Sequence, residues 1–65
     1  MTPEQFKHWL AAVKASGQAK SDADAAKLIG VHANSLLRYK ISGADKTIAL
    51  ACRAVFHKLG PYDGE

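Results

Sequence analysis

Between Ala25 and Ala44 the chain carries Lys27, His32, Asn34, Ser35, Arg38 and Lys40 and not one carboxylate. These side chains share a chemistry. The Asn34 amide sets a donor beside an acceptor and so matches adenine N6 and N7, while the Arg38 guanidinium matches guanine O6 and N7 in the same two-point way. Each such pair is worth about 1–3 kcal/mol of discrimination against a wrong base. Ammonium, hydroxyl and imidazole groups suit phosphate oxygens, contacts that fix register without reading sequence. The segment is equipped to meet double-stranded nucleic acid, and a net charge of +3 with a pI near 9.3 points to a polyanionic partner.

Other chemistries are poorly served. His8, His32, His57 and Cys52 lack any Cys-x-x-Cys or His-x-x-x-His spacing that places two ligands on one face, so neither a metal nor a cofactor is expected. Ser35 and Ser42 have no sign of a paired base, the carboxylates fall mostly at helix caps, and no glycine-rich phosphate loop is present. No catalytic residue, small-molecule substrate or enzymatic activity is therefore expected.

Sixty-five residues suffice for one small domain and exclude a two-domain enzyme with a deep cleft. Hydrophobic residues at 48% and charged residues at 23% are those of a globular chain, not a disordered one. The longest stretch without a charged residue, Leu28 to Leu37, falls well short of the roughly 18 apolar residues of a membrane span. Glu4, Lys7 and His8 interrupt the N-terminal apolar residues, unlike a secretory signal. No membrane association is expected, and the cytoplasm is the expected compartment. The single Cys52 lies in the apolar run Ile48 to Phe56, where a free cysteine acts as a small buried hydrophobe, so disulfides do not hold the fold.

The elements that must position these groups are short helices, giving an all-α, compact bundle of four or five helices. Thr2, Pro3 and Gln5 form a capping box with proline at the first helical position, and Met1 is placed to staple against Phe6. Phe6, Trp9, Leu10 and Val13 then mark one buried stripe, ended by Gly17. Ser21 and Asp24 open a second helix, about Asp22 to Ile29, cut by Gly30. A third begins near His32 or Ala33 with Leu36 and Tyr39 on its core side, and Ser42-Gly43-Ala44 breaks it. Asp45 caps a fourth that carries Ile48, Ala51, Cys52, Val55 and Leu59 on one face and stops at Gly60-Pro61. Residues 1–61 form the domain and 62–65 a flexible tail.

A helix of about eight residues, a tight turn at Gly30-Val31 and a second helix make a helix-turn-helix pair, with Ala26 small where the helices approach most closely. The stretch Ala25-Ala26-Lys27-Leu28-Ile29-Gly30-Val31, followed by Ser35-Leu36 and Arg38-Tyr39, resembles the signature of lambda-repressor-like (Cro/C1-type, XRE) regulators of bacteria and phages. In size and layout the chain is also similar to very small phage or mobile-element autorepressors, such as anti-CRISPR-associated regulators. The resemblance implies a cytoplasmic, nucleoid-associated repressor whose second helix of the pair enters the major groove. It implies a homodimer on a palindromic operator, and repression of the protein's own promoter. Two positions depart from the family. His32 stands where Ser, Thr or Asp usually caps the recognition helix, and Leu37 stands where a polar reader is common, leaving open a thymine-methyl contact or a place in the core.

The outward face of helix 33–41 assigns base reading to Ala33, Asn34, Leu37, Arg38 and Ile41. Lys20, Lys27, His32, Ser35, Lys40 and Lys46 are assigned to phosphates. Val55, Phe56, Leu59 and Tyr62 form the expected dimer surface. A second reading is a small helical protein-interaction module, an antitoxin or adaptor using that same apolar surface. A third is an excisionase-like DNA-bending accessory protein.

Overall fold

The computed structural model describes residues 1–64, and Glu65 lies outside them. Four helices follow in order: α1 (Pro3–Ala15), α2 (Asp22–Leu28), α3 (Ala33–Ser42) and α4 (Lys46–Phe56). Among the described residues there is no strand and no fifth helix, so the architecture is an all-α bundle of four.

Each helix begins on a side-chain cap. The Thr2 hydroxyl accepts the Gln5 N–H at 3.1 Å while the Gln5 side-chain oxygen accepts the Thr2 N–H at 2.9 Å, the reciprocal pair anticipated from residue types. Ser21 accepts from Asp24 N–H, His32 from Asn34 N–H and Asp45 from Ile48 N–H. Helix ends are closed as regularly. After α1 and α2 the chain turns through left-handed Gly17 and Gly30, with paired backbone bonds returning to the last turn, Gln18 N–H to Val13 O and Val31 N–H to Ala26 O. At Gly30, φ of +73° is what only glycine adopts at little cost, and it lets α3 start three residues later.

α1 is the spine. Phe6 and Val13 are fully buried, Trp9 and Leu10 nearly so, and the cluster is completed by Ala19, Ala25, Ala26, Leu36 and Cys52. Burying each large side chain contributes about 1.5–3 kcal/mol. The Phe6 ring contacts both Trp9 and Tyr39, at 5.5 and 5.4 Å between centroids, which ties α1 to α3. α4 is tied to α1 by a directional bond: the buried Trp9 indole N–H donates to the Cys52 carbonyl at 2.9 Å. Cys52 itself is buried and free, and burial pushes its thiol up to about 11. Met1 packs against this core, consistent with a staple, and exchanges two backbone bonds with Ala44.

The C-terminal end departs from expectation. α4 stops at Phe56, four residues before Gly60, and Lys58 takes the left-handed position with φ of +60°. Leu59 N–H returns to Ala54 O and Lys58 N–H to Val55 O, the same closing pair that glycine makes after α1 and α2. Leu59 is therefore outside the helix and 65% exposed, not on its core face. The signal was obscured because a lysine occupies the position where glycine would have marked the end. Smaller differences are that Ile29 caps α2 instead of closing it and that α3 extends one residue to Ser42.

Candidate nucleic-acid interface

α3 is held by Leu36, which is buried, and by Tyr39, half-buried against Phe6. That anchoring decides what faces outward. Ala33, Asn34, Leu37, Arg38 and Ile41 are all exposed. Leu37 at 52% and Ile41 at 78% settle the question left by spacing: Leu37 is on the solvent side and not in the core. Spacing of four residues places them on adjacent turns beside Asn34 and Arg38. The face is thus an apolar ridge flanked by one amide and one guanidinium. Ten residues at 1.5 Å give a helix about 15 Å long, matched to a major groove about 12 Å wide.

His32 is built into this face. Its Nδ1 accepts the Asn34 N–H at 3.1 Å, which satisfies one of the orphan donors at the start of α3. An accepting Nδ1 leaves Nε2 as the ring's donor, and the side chain is exposed, so the outward nitrogen can meet an anion while the inward one holds the cap.

The cations divide. Lys20, Lys27 and Lys46 are exposed, and Lys46 opens α4 just past the end of α3. Lys27 borders a groove with Leu28, Ala51, Ala54 and Leu59, which places it on the α4 side of α2. Ser35 is half-buried. Lys40 is the exception to its assignment as a free phosphate ligand: its ammonium donates to Asp22 Oδ2 at 2.9 Å, and Lys14 contacts Oδ1 of the same carboxylate. The two ammonium groups hold the Asp22 carboxyl below the usual carboxylate range, Lys14 first and Lys40 second. Sequence reasoning missed this triad because its members lie eight and eighteen residues apart on three helices, and no local pattern pairs them.

The expected dimer surface is also split. Val55 is half-buried against the core, whereas Phe56, Leu59 and Tyr62 are exposed. Leu50 and Leu28, not singled out by periodicity, are exposed apolar residues as well. Leu50 lies opposite the core stripe of α4, where an apolar residue out of phase was the available signal. Phe56 lines an apolar groove of about 290 Å³ between α1 and α4, with Gln5, His8, Trp9, Ala49 and Arg53.

Among the described residues no three His, Cys, Asp or Glu side chains gather as metal ligands, and no helix is long and apolar enough to cross a membrane. The chain matches no family model, no curated protein and no solved structure.

Proposed function

We propose that this protein is a sequence-specific, double-stranded DNA-binding transcriptional regulator of the lambda-repressor-like kind, acting in the cytoplasm as a repressor of its own promoter. The observation that carries the reading is the outer face of α3, where Asn34, Leu37, Arg38 and Ile41 stand exposed together on a helix whose opposite side is locked by Leu36 and Tyr39. With α3 in the major groove, Arg38 reads guanine, Asn34 reads adenine, and Leu37, Ile41 and Ala33 meet thymine methyl groups. His32, Ser35, Lys20, Lys27 and Lys46 hold phosphates.

One module of this size buries only about 600–1,000 Å² on DNA, so two copies are needed for regulatory affinity. Of the residues expected at a homodimer contact, Phe56, Leu59 and Tyr62 are exposed and are assigned to it here, and the operator is a near-palindrome with half-site centres about 34 Å apart. No catalytic step is assigned to the chain.

Anisotropy titration of labelled duplex from upstream of the protein's own gene tests the proposal, with wild type and Arg38→Ala compared across a salt series. The expected result is tight, salt-sensitive binding. In Arg38→Ala it weakens by about 1–3 kcal/mol and loses preference at one base pair per half-site. Equal affinity of wild type for operator and scrambled duplex would sink it. The same exposed apolar residues favour a second reading, a protein-interaction module, whose complex would be nearly insensitive to salt.

A further inference from the structure

Asp22 opens α2 and is the meeting point of three helices, receiving Lys14 from α1 on Oδ1 and Lys40 from α3 on Oδ2. Its Oδ1 is nearly sealed from solvent by the arrangement. We propose that Asp22 is an internal competitor for phosphate, one that withholds Lys14 and Lys40 from DNA and so suppresses sequence-independent binding. The inference rests on the DNA-binding reading and concerns the same surface.

The argument is one of matching chemistry. A carboxylate and a phosphodiester offer a lysine the same thing, anionic oxygens at hydrogen-bond distance. Lys40 stands one residue from Ile41, on the flank of the face assigned to the groove, yet it is half-buried and already bonded at 2.9 Å. To reach a phosphate it must leave Asp22, and Lys14 alone would then hold the carboxylate. The other carboxylate at this end of α2, Asp24, accepts the Lys20 backbone N–H and not Lys40. Sequence-independent affinity comes almost wholly from phosphate neutralisation, whereas operator affinity also draws on Asn34, Arg38, Leu37 and Ile41. Withholding two cations therefore lowers affinity for any duplex by the same factor, and what holds the protein at an operator is left to those four side chains. The absence of acidic residues from Ala25 to Ala44 is offset by one placed just upstream and folded back onto α3.

The test uses the full chain and a duplex of arbitrary sequence, titrated across a salt series with wild type, Asp22→Asn, Lys40→Gln and the double variant. Asp22→Asn is expected to steepen the slope of log affinity against log salt by about 1 to 2, one phosphate contact per lysine released. At about 0.1 M salt each released lysine tightens binding about eightfold. Lys40→Gln alone should leave the wild-type slope unchanged, because Lys40 is withheld, and the double variant should lose the part of the gain that Lys40 supplies. A wild-type slope in Asp22→Asn overturns the proposal, and so does Lys40→Gln flattening the slope by about 1 while Asp22 is present. A purely structural role for Asp22 would lower the melting temperature without moving the slope. If Asp22→Asn fails to fold, the Lys40→Gln arm decides, since it leaves the carboxylate in place. Wild type and Asp22→Asn both failing to bind any duplex would remove the DNA reading and this inference together. Binding by both with equal slopes removes the inference alone.

Discussion

At the residue scale, Gly43 carries two constraints at once. Its backbone, with φ of +86° and ψ near 180°, lies in a region adopted almost only by glycine, and a Cβ there would sit 2.5 Å from the Met1 carbonyl oxygen. Gly43→Ala is expected to cost at least about 1–3 kcal/mol, read as a fall in urea midpoint with unchanged slope; a loss below about 0.5 kcal/mol would show that the Met1–Ala44 pairing is dispensable. Gly30→Ala meets open space and bears the conformational cost alone. Individual side chains were legible to differing degrees. Asn34 and Arg38 were found because residue type and helical phase suffice to place an exposed polar group on a face. Leu37 was not, because a leucine has equal reason to be inside or outside until the neighbouring turns are fixed. The pairing of Lys40 was not legible because its partner belongs to another helix, and charge in sequence says nothing about which carboxylate folds back onto it.

At the element scale, starts were more legible than ends. Thr2, Ser21, His32 and Asp45 all cap the helices that follow, His32 included, because a cap is a local bond between neighbours. Glycine marked the ends of α1 and α2, and α4 was read as too long for want of one. Lys58 at φ of +60° bears the left-handed cost without glycine's exemption. Lys58→Gly should therefore stabilise the fold by about 0.5–1 kcal/mol, raising Tm by roughly 2–8 °C for a domain of this size. A fall in Tm would mean that the lysine side chain makes a contact outweighing its backbone strain. The apolar phase of α4 was read correctly through Val55 and incorrectly at Leu59, where the helix had already ended.

At the scale of the whole molecule, 35 × 24 × 19 Å in extent, the all-α architecture follows from the capping residues and the Phe6–Val13 stripe. The helix-to-helix connections in it are long-range and were not visible locally. The Lys14–Asp22–Lys40 triad joins three helices and gives stability an acid dependence. The folded carboxyl titrates below the ordinary value of 3.8, so its contribution is complete above that pH and is lost as pH falls through the lower folded value. With the carboxylate about a third exposed, the loss is about 1 kcal/mol or less. Melting curves should show wild type losing its advantage over Asp22→Asn below about pH 4, and parallel pH profiles for the two would refute the assignment. The Trp9–Cys52 and Met1–Ala44 bonds each close a span of 43 residues, whereas α2 and α3 are separated by a single turn. Ordering a loop of that length costs about 3 kcal/mol before any contact is gained. The α2–α3 pair can consequently assemble and persist as a cooperative unit while α4 swings away from α1, and amide exchange in α4 should outpace that in α3. The Trp9 indole proton is a directional latch on α4, added to the burial of Cys52 and the packing of Ile48 and Val55.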